Sequence, residues 1–198
     1  MRARGFTLIE ILVALAVFSV IAVMSYQGLA GIARNQEGIE RASERQRAIE
    51  LAMLRLERDL TQALARPARG PYGENLPAMV GGEQGAEWTT LDLVAAQGGV
   101  GPQAQRVSYA LVGSDWRRRA DSVVDRSPRD TARARVALAD VERVSWRYID
   151  SGVTRLDQWP PRLGSLPPER LPRAVEVRLV LADVGEIVRL IELPETAL

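Results

Sequence analysis

The stretch GFTLIEILVALAVFSVIAVM, Gly5 to Met24, decides the architecture of this chain. It follows a short basic lead, Met1-Arg2-Ala3-Arg4, and opens a run in which no charged residue occurs between Ile11 and Ala33. About 20 apolar residues at ~1.5 Å rise cross a ~30 Å hydrocarbon core, so a helix here is long enough to span a membrane. Ser25, Gln27, Gly28 and Gly31 weaken its far end. Arg2 and Arg4 place the N-terminus in the cytoplasm by the positive-inside rule, and the mixed pair Arg34 and Glu37 does not oppose that orientation. A cleaved secretory signal has a shorter apolar core, about 7 to 15 residues, and has no use for Glu10. A carboxylate there costs about 2.5 to 3.5 kcal/mol at a helix centre and somewhat less near the edge. A plain single-pass anchor tolerates Glu10 near the interface but leaves its neighbours unexplained.

Beyond the apolar run the helical pattern continues. Ile49, Met53, Leu56, Leu60 and Leu64 recur every three or four residues, the spacing of one helix face. Glu37 with Arg41, and Arg55 with Asp59, form i,i+4 pairs on other faces. Arg66-Pro67 ends the pattern, because the residue before proline is pushed out of the α region. One helix from about Phe6 to Ala65 is predicted, roughly 90 Å if unbroken, with Gly28, Gly31 and Gly38 as points of bending. Half of it serves as an anchor and half as a spine for another layer.

That layer is a sheet. After Pro67, glycines and prolines punctuate short β-type runs, starting with a loop at Arg69-Gly70-Pro71-Tyr72-Gly73. Trp88 to Ala95 reads as a strand, and Val107, Tyr109 and Leu111 alternate with polar or small residues before Gly113-Ser114-Asp115 turns the chain into Trp116 to Arg119. Val144, Trp146 and Tyr148 alternate again, as do Val175, Val177, Leu179 and Leu181 against Glu176 and Arg178. Asp183-Val184-Gly185 then turns into Ile187 to Leu193. Trp159 to Pro168 holds too many prolines for a central strand and reads as a stiffened surface loop, ahead of a proline-rich ligand segment. The fold class is α+β: a long N-terminal helix packed on a mainly antiparallel sheet domain.

Composition removes much chemistry. At 198 residues and 46% apolar content, the chain holds one domain with a real core, and a net charge of +1 gives no overall pull toward nucleic acid. With neither cysteine nor histidine, zinc of the Cys/His type, thiol nucleophiles and a Ser-His-Asp arrangement are excluded. All 26 basic residues are arginine, but 25 carboxylates are interleaved with them.

The string Gly5-Phe6-Thr7-Leu8-Ile9-Glu10 resembles the recognition motif of type IV pilins and pseudopilins: Gly, then Phe, then Glu four residues on. The resemblance implies a prepilin peptidase that cuts after Gly5 and methylates the new N-terminal Phe6, leaving Glu10 as an assembly residue. Downstream the chain resembles the J-type minor pseudopilins of type II secretion systems over nearly its full length. Tyr26 to Leu29, Leu54 to Leu60, Tyr109 to Arg119, Trp146-Arg147-Tyr148, Trp159-Pro160-Pro161 and Leu171 to Val177 carry this likeness. It implies a pilin-like fold and a subunit of a pseudopilus tip complex with I-type and K-type minor pseudopilins, supporting export of folded proteins across the outer membrane. The expected layout is a leader at 1–5, a transmembrane helix at 6–33, a periplasmic helix half at 34–66 and a periplasmic β-rich domain at 67–198. The N-terminus is cytoplasmic, the chain crosses the inner membrane once, and membrane lipid and the peptidase are partners. No enzyme activity, cofactor, metal, nucleic acid or small-molecule substrate is expected.

Two other readings stay open. A minor pilin of a type IV pilus or DNA-uptake filament would use Trp116-Arg117-Arg118-Arg119 as a stacking and phosphate patch. Arginines on a strand alternate faces, and a charged, solvated edge strand accounts for them as well. A membrane-anchored hydrolase would need acid pairs such as Glu74 with Glu83 or Asp121 with Asp125, which nothing in the sequence positions. Minor pilins of surface pili often close a C-terminal loop with a disulfide, and this chain has no cysteine.

Overall fold

The computed structural model describes residues 7–96, 99–121, 123–126, 132–152, 154–162 and 166–195. Helix α1 spans Leu8–Thr61, 54 residues. The chain divides into two compact units, Met1–Ala48 and Ile49–Leu198. In the first, Leu8–Leu29 is a 22-residue segment with mean hydropathy 2.6, none of it buried within the chain, and long and apolar enough to cross a membrane. Ser19 does not leave a bare hydroxyl there: its Oγ donates to the Leu15 carbonyl at 2.8 Å.

The second unit begins with the last turns of α1. Ile49, Ala52, Met53, Leu56 and Leu60 form the predicted apolar face and are buried, Leu56 and Leu60 completely. The helix stops at Thr61, four residues before the expected end, because the sheet takes over its backbone groups. Ala63 bridges to Thr90, the Leu64 N–H donates to the Thr89 carbonyl at 2.8 Å, and the Leu91 N–H donates to the Gln62 carbonyl at 3.1 Å. Trp88 Nε1 and Thr90 Oγ1 each donate to the Asp59 carbonyl at 2.8 Å, satisfying an acceptor that the helix end would otherwise leave open. Leu64 therefore lies beyond the helix and is only half-buried.

Eleven strands follow among the described residues: β1 Ala68–Arg69, β2 Asn75–Leu76, β3 Met79–Gly82, β4 Gly85–Ala96, β5 Gly99–Val112, β6 Asp115–Asp121, β7 Ala132–Leu138, β8 Val141–Ile149, β9 Arg155–Leu156, β10 Ala174–Leu181 and β11 Gly185–Glu192. They form a five-stranded sheet in the order β3-β4-β5-β6-β7, a four-stranded sheet in the order β11-β10-β8-β9, and the small pair β1-β2, antiparallel throughout. The expected turns close β5-β6 and β10-β11. In the first, Val112 pairs with Asp115 around Gly113-Ser114, and Gly113 takes φ +64°, a left-handed value that a side chain would resist.

Aromatic rings join the two larger sheets. Trp88 of β4 stacks on Tyr109 of β5 with centroids 5.6 Å apart and planes 8° apart, while Trp146 of β8 lies 6.2 and 6.4 Å from them and Trp116 of β6 lies 5.0 Å from Tyr109. Trp159 corrects the surface-loop reading of the proline-rich segment. It is 1% exposed, and its backbone exchanges two 2.8 Å hydrogen bonds with Gly81. Further on, the Pro168 carbonyl accepts from the Ala78 N–H at 2.6 Å. The segment thus covers the outer edge of β3, which would otherwise present unpaired backbone groups. The middle of that segment, residues 163–165, lies outside the described residues.

Leu56→Ala is expected to cost about 2 to 5 kcal/mol, and Met53→Ala somewhat less because Met53 keeps slight exposure. Denaturation followed by circular dichroism checks this, and unchanged midpoints in both variants would place this helix face outside the core.

Candidate functional site

Gly5 and Phe6, the expected processing residues, lie outside the described residues. Glu10 sits in the first turn of α1, and its carboxylate is engaged locally. Its Oε2 accepts from the Thr7 N–H at 2.9 Å and from Thr7 Oγ1 at 3.0 Å, while the Glu10 N–H donates to Thr7 Oγ1 at 3.3 Å. This is a reciprocal capping box: Thr7 is the N-cap, and Glu10 three residues on reaches back to it. The Thr-x-x-Glu spacing was readable in the sequence, where the motif reading gave Glu10 another task. Behind it, Ile11, Ala14, Leu15 and Phe18 line an apolar groove on the same helix.

In the second unit the most concentrated chemistry surrounds Asp59, which is 2% exposed. The i,i+4 pairing with Arg55 is present at 3.3 Å, but it is no surface pair. Arg118 of β6 grips the same carboxylate from the sheet, Nε to Oδ2 at 2.6 Å and Nη2 to Oδ1 at 3.2 Å, and the Tyr109 hydroxyl donates to Oδ2 at 2.8 Å. Asp92 closes the group by pairing with Arg55 and, at 3.6 Å, with Arg118. Burial pushes the Tyr109 phenol well above its ordinary value, and the Asp59 charge pushes it further, so it remains a hydrogen-bond donor. For Arg118, burial works to lower the value, yet the hydrogen bond and charge of Asp59 outweigh it and the net direction is upward. Every strong donor points at a carboxylate of the network, so the arrangement ties helix to sheet.

A second buried cation, Arg106 of β5, donates from Nε to Glu87 at 2.7 Å and from Nη1 to the Pro77 carbonyl at 2.7 Å. Burial lowers its value, with Glu87 opposing. Nothing in the sequence separates Arg106 from surface arginines, because its partners belong to other strands and loops.

Of the acid pairs considered for hydrolysis, Asp121 and Asp125 are engaged by different partners. Asp121 is buried at the end of β6 and bridges to Arg119 at 3.2 Å and Arg126 at 3.4 Å. Asp125 instead holds Arg66 at 3.2 Å and the Arg69 N–H at 2.9 Å. The candidate stacking patch is also dispersed. Trp116 is fully buried, Arg117 pairs with Asp115 at 2.9 Å, and Arg118 turns inward to Asp59. Nor is β6 an edge strand, as the charge pattern suggested: it lies between β5 and β7. Among the described residues, no group of three or more acidic side chains converges as a metal site would require.

With this geometry in place, comparison with known proteins is direct. Residues 27–193 match the family model for "Type II secretion system (T2SS), protein J", and residues 1–26 match the prokaryotic N-terminal methylation motif. A type II secretion system protein J from Klebsiella pneumoniae is 28% identical over 193 residues, covering 96% of this chain and 94% of the relative. One from Vibrio cholerae is 30% identical over 207 aligned positions, covering 94% and 85%. Among solved structures, a chain of the GspK-GspI-GspJ complex of enterotoxigenic Escherichia coli is similar with a TM-score of 0.64 at 22% identity, over 77% of this chain and 99% of that one. The α+β, pilin-like architecture expected from the sequence is the observed one, and with a family model covering most of its length, this chain belongs to the type II secretion system protein J family.

Proposed function

We propose that the chain is a minor pseudopilin at the tip of a periplasmic pseudopilus, where it joins I-type and K-type pseudopilins and supports export of folded proteins across the outer membrane. The observation that carries this is the pairing of a family match over residues 27–193 with an apolar helix, Leu8–Leu29, that finds no cover within its own chain. Lipid covers that helix first and neighbouring subunits later. In this reading residues 1–5 are a cytoplasmic leader, 6–33 cross the inner membrane once, and 34–66 with 67–198 stand in the periplasm. A prepilin peptidase cuts after Gly5 and methylates Phe6. The role is structural, with no reaction catalysed.

Glu10 then has two states. In the single chain its carboxylate caps α1 through Thr7. In the filament, the positive α-amino group of Phe6 on a neighbouring subunit neutralises it and sets axial register. A buried pair adds little net stability against an apolar isostere, whereas one unpaired member costs about 3 to 5 kcal/mol, so the benefit is specific docking. Glu10→Ala is expected to insert and be cleaved, yet to capture the I-type and K-type partners poorly in membrane crosslinking, with reduced secretion. Thr7→Val, which removes the cap but keeps the charge, is expected to capture them normally. Full capture and normal secretion by Glu10→Ala would leave the carboxylate only its capping role, worth about 0.3 to 1 kcal/mol through the helix dipole.

A further inference from the structure

Within Leu8–Leu29 the strictly apolar part is short. It runs from Ile11 to Met24, bounded by Glu10 on one side and by Ser25, Tyr26 and Gln27 on the other, and covers only about 21 Å of a ~30 Å hydrocarbon core. Polar groups at one end or the other therefore enter the hydrocarbon, or the bilayer thins to meet them. The Ser19 hydroxyl inside the run is satisfied by the Leu15 carbonyl, whereas neither the exposed Tyr26 hydroxyl nor the Gln27 amide has a hydrogen-bond partner among the described residues.

The two ends of the run differ in where their side chains lead. Every Cα–Cβ bond of an α-helix tilts toward the helix N-terminus. For Glu10 that direction leads out of the membrane, and its carboxylate has followed it, with Oε2 accepting from the Thr7 N–H at 2.9 Å and from Thr7 Oγ1 at 3.0 Å. For Tyr26 the same tilt leads back toward the bilayer centre. Its hydroxyl reaches the interface only when the Tyr26 backbone stands at the hydrocarbon edge or just outside it. From Tyr26 back to Thr7 is about 29 Å at ~1.5 Å per residue, nearly the full hydrocarbon thickness. With Tyr26 at the outer edge, Thr7 lies at the inner edge, and the Glu10 carboxylate is turned back to the level of Thr7. An outer edge at residue 33 would instead draw Tyr26 and Gln27 about 10 Å deep and leave the amide without water or a partner.

We infer that Tyr26 is an interfacial anchor whose ring packs at the acyl boundary of the outer leaflet and whose hydroxyl bonds to the lipid ester and headgroup layer. Gln27 stands beside it on the wet side, and residues 27–33 rise through the headgroups. Tyr26 thereby sets the depth at which Thr7, and the Gly5-Phe6 junction that precedes it, meets the cytoplasmic surface. This rests on the membrane-spanning reading proposed above and adds the register of the span.

The full-length chain has no cysteine, so single cysteines placed in turn from Val20 to Ala33 report exposure without background. Spheroplasts are treated with a membrane-impermeant maleimide. Protection through Met24 and reaction from Gly28 onward are expected. In the double variant Y26L/Q27L the first reactive position should move toward the C-terminus by about one helical turn, roughly 4 residues. Tyr26→Trp, which keeps a ring and a donor at the interface, should leave it in place. A boundary at Gly31 or later in the unaltered background, one that Y26L/Q27L does not move, or one that Tyr26→Trp moves as far, overturns the inference. Reaction at every position from Val20 onward would instead remove the membrane-spanning reading, and the anchor with it.

Discussion

Asp59→Ala is expected to destabilise the Ile49–Leu198 unit by about 3 to 5 kcal/mol, the range for breaking a buried pair by deleting one member. The side chain is almost wholly enclosed and accepts from Arg118 twice and from the Tyr109 hydroxyl once, with Arg55 3.3 Å away. Deleting it strands the Arg118 guanidinium and the Tyr109 hydroxyl where water has little access, so the loss exceeds that of the attraction itself. The comparison that identifies the mechanism is a triple variant, Asp59→Leu with Arg118→Met and Tyr109→Phe. Removing all the polar partners together is expected to recover much of the stability, because no unsatisfied group is left behind. Denaturant midpoints of the unaltered chain, Asp59→Ala and the triple variant read this directly. A loss under about 1 kcal/mol in Asp59→Ala would mean that solvent reaches the network and that it behaves as a surface pair.

The largest effect on function is expected from Gly5→Val, which should leave the leader attached to nearly all of the protein. A residue without a Cβ lets the peptidase approach the backbone at the cut, and a β-branched side chain there blocks that approach and restricts the local conformation. Mass spectrometry of membrane-extracted protein gives the answer: the unaltered chain should start at a methylated Phe6, and the variant at Met1 or Arg2. An unaltered chain that still starts at Met1, or one cut near Ala30 to Ala33, would exclude prepilin processing and point to a plain anchor or a secretory signal. Uncleaved protein also lacks the α-amino group on Phe6, so this variant and Glu10→Ala should share a defect in partner capture although only one of them changes the acid.

The parts legible in the sequence share a physical character: they depend on local spacing. Membrane thickness fixes how many apolar residues a spanning helix needs, and Ile11 to Ala33 meets it without reference to the rest of the chain. The helix face Ile49, Met53, Leu56 and Leu60, the alternation of Val175 to Leu181, and the glycine turns at Gly113 and Gly185 are likewise set within a few residues. The prepilin motif is read from six adjacent residues, and the capping box of Thr7 and Glu10 that the structure shows lies within the same short stretch.

Tertiary structure alone decided the features that depend on distant segments. The helix ends at Thr61 and not near Ala65 because Thr89, Thr90 and Leu91 compete for its final backbone groups. Asp59 looks like half of a surface pair until Tyr109 and Arg118, some 50 and 59 positions on, enclose it. Strand β7, ARARVAL, has too few large apolar side chains to announce itself, and it forms by pairing with β6. Trp159 belongs to a segment whose prolines signal a loop, and the loop is real, but the edge of β3 draws its first residue into the core. Periodicity specifies which face of an element is apolar. Which polar groups are buried is settled only when the elements pack, because a polar group deprived of water needs a partner that the sequence supplies from far away.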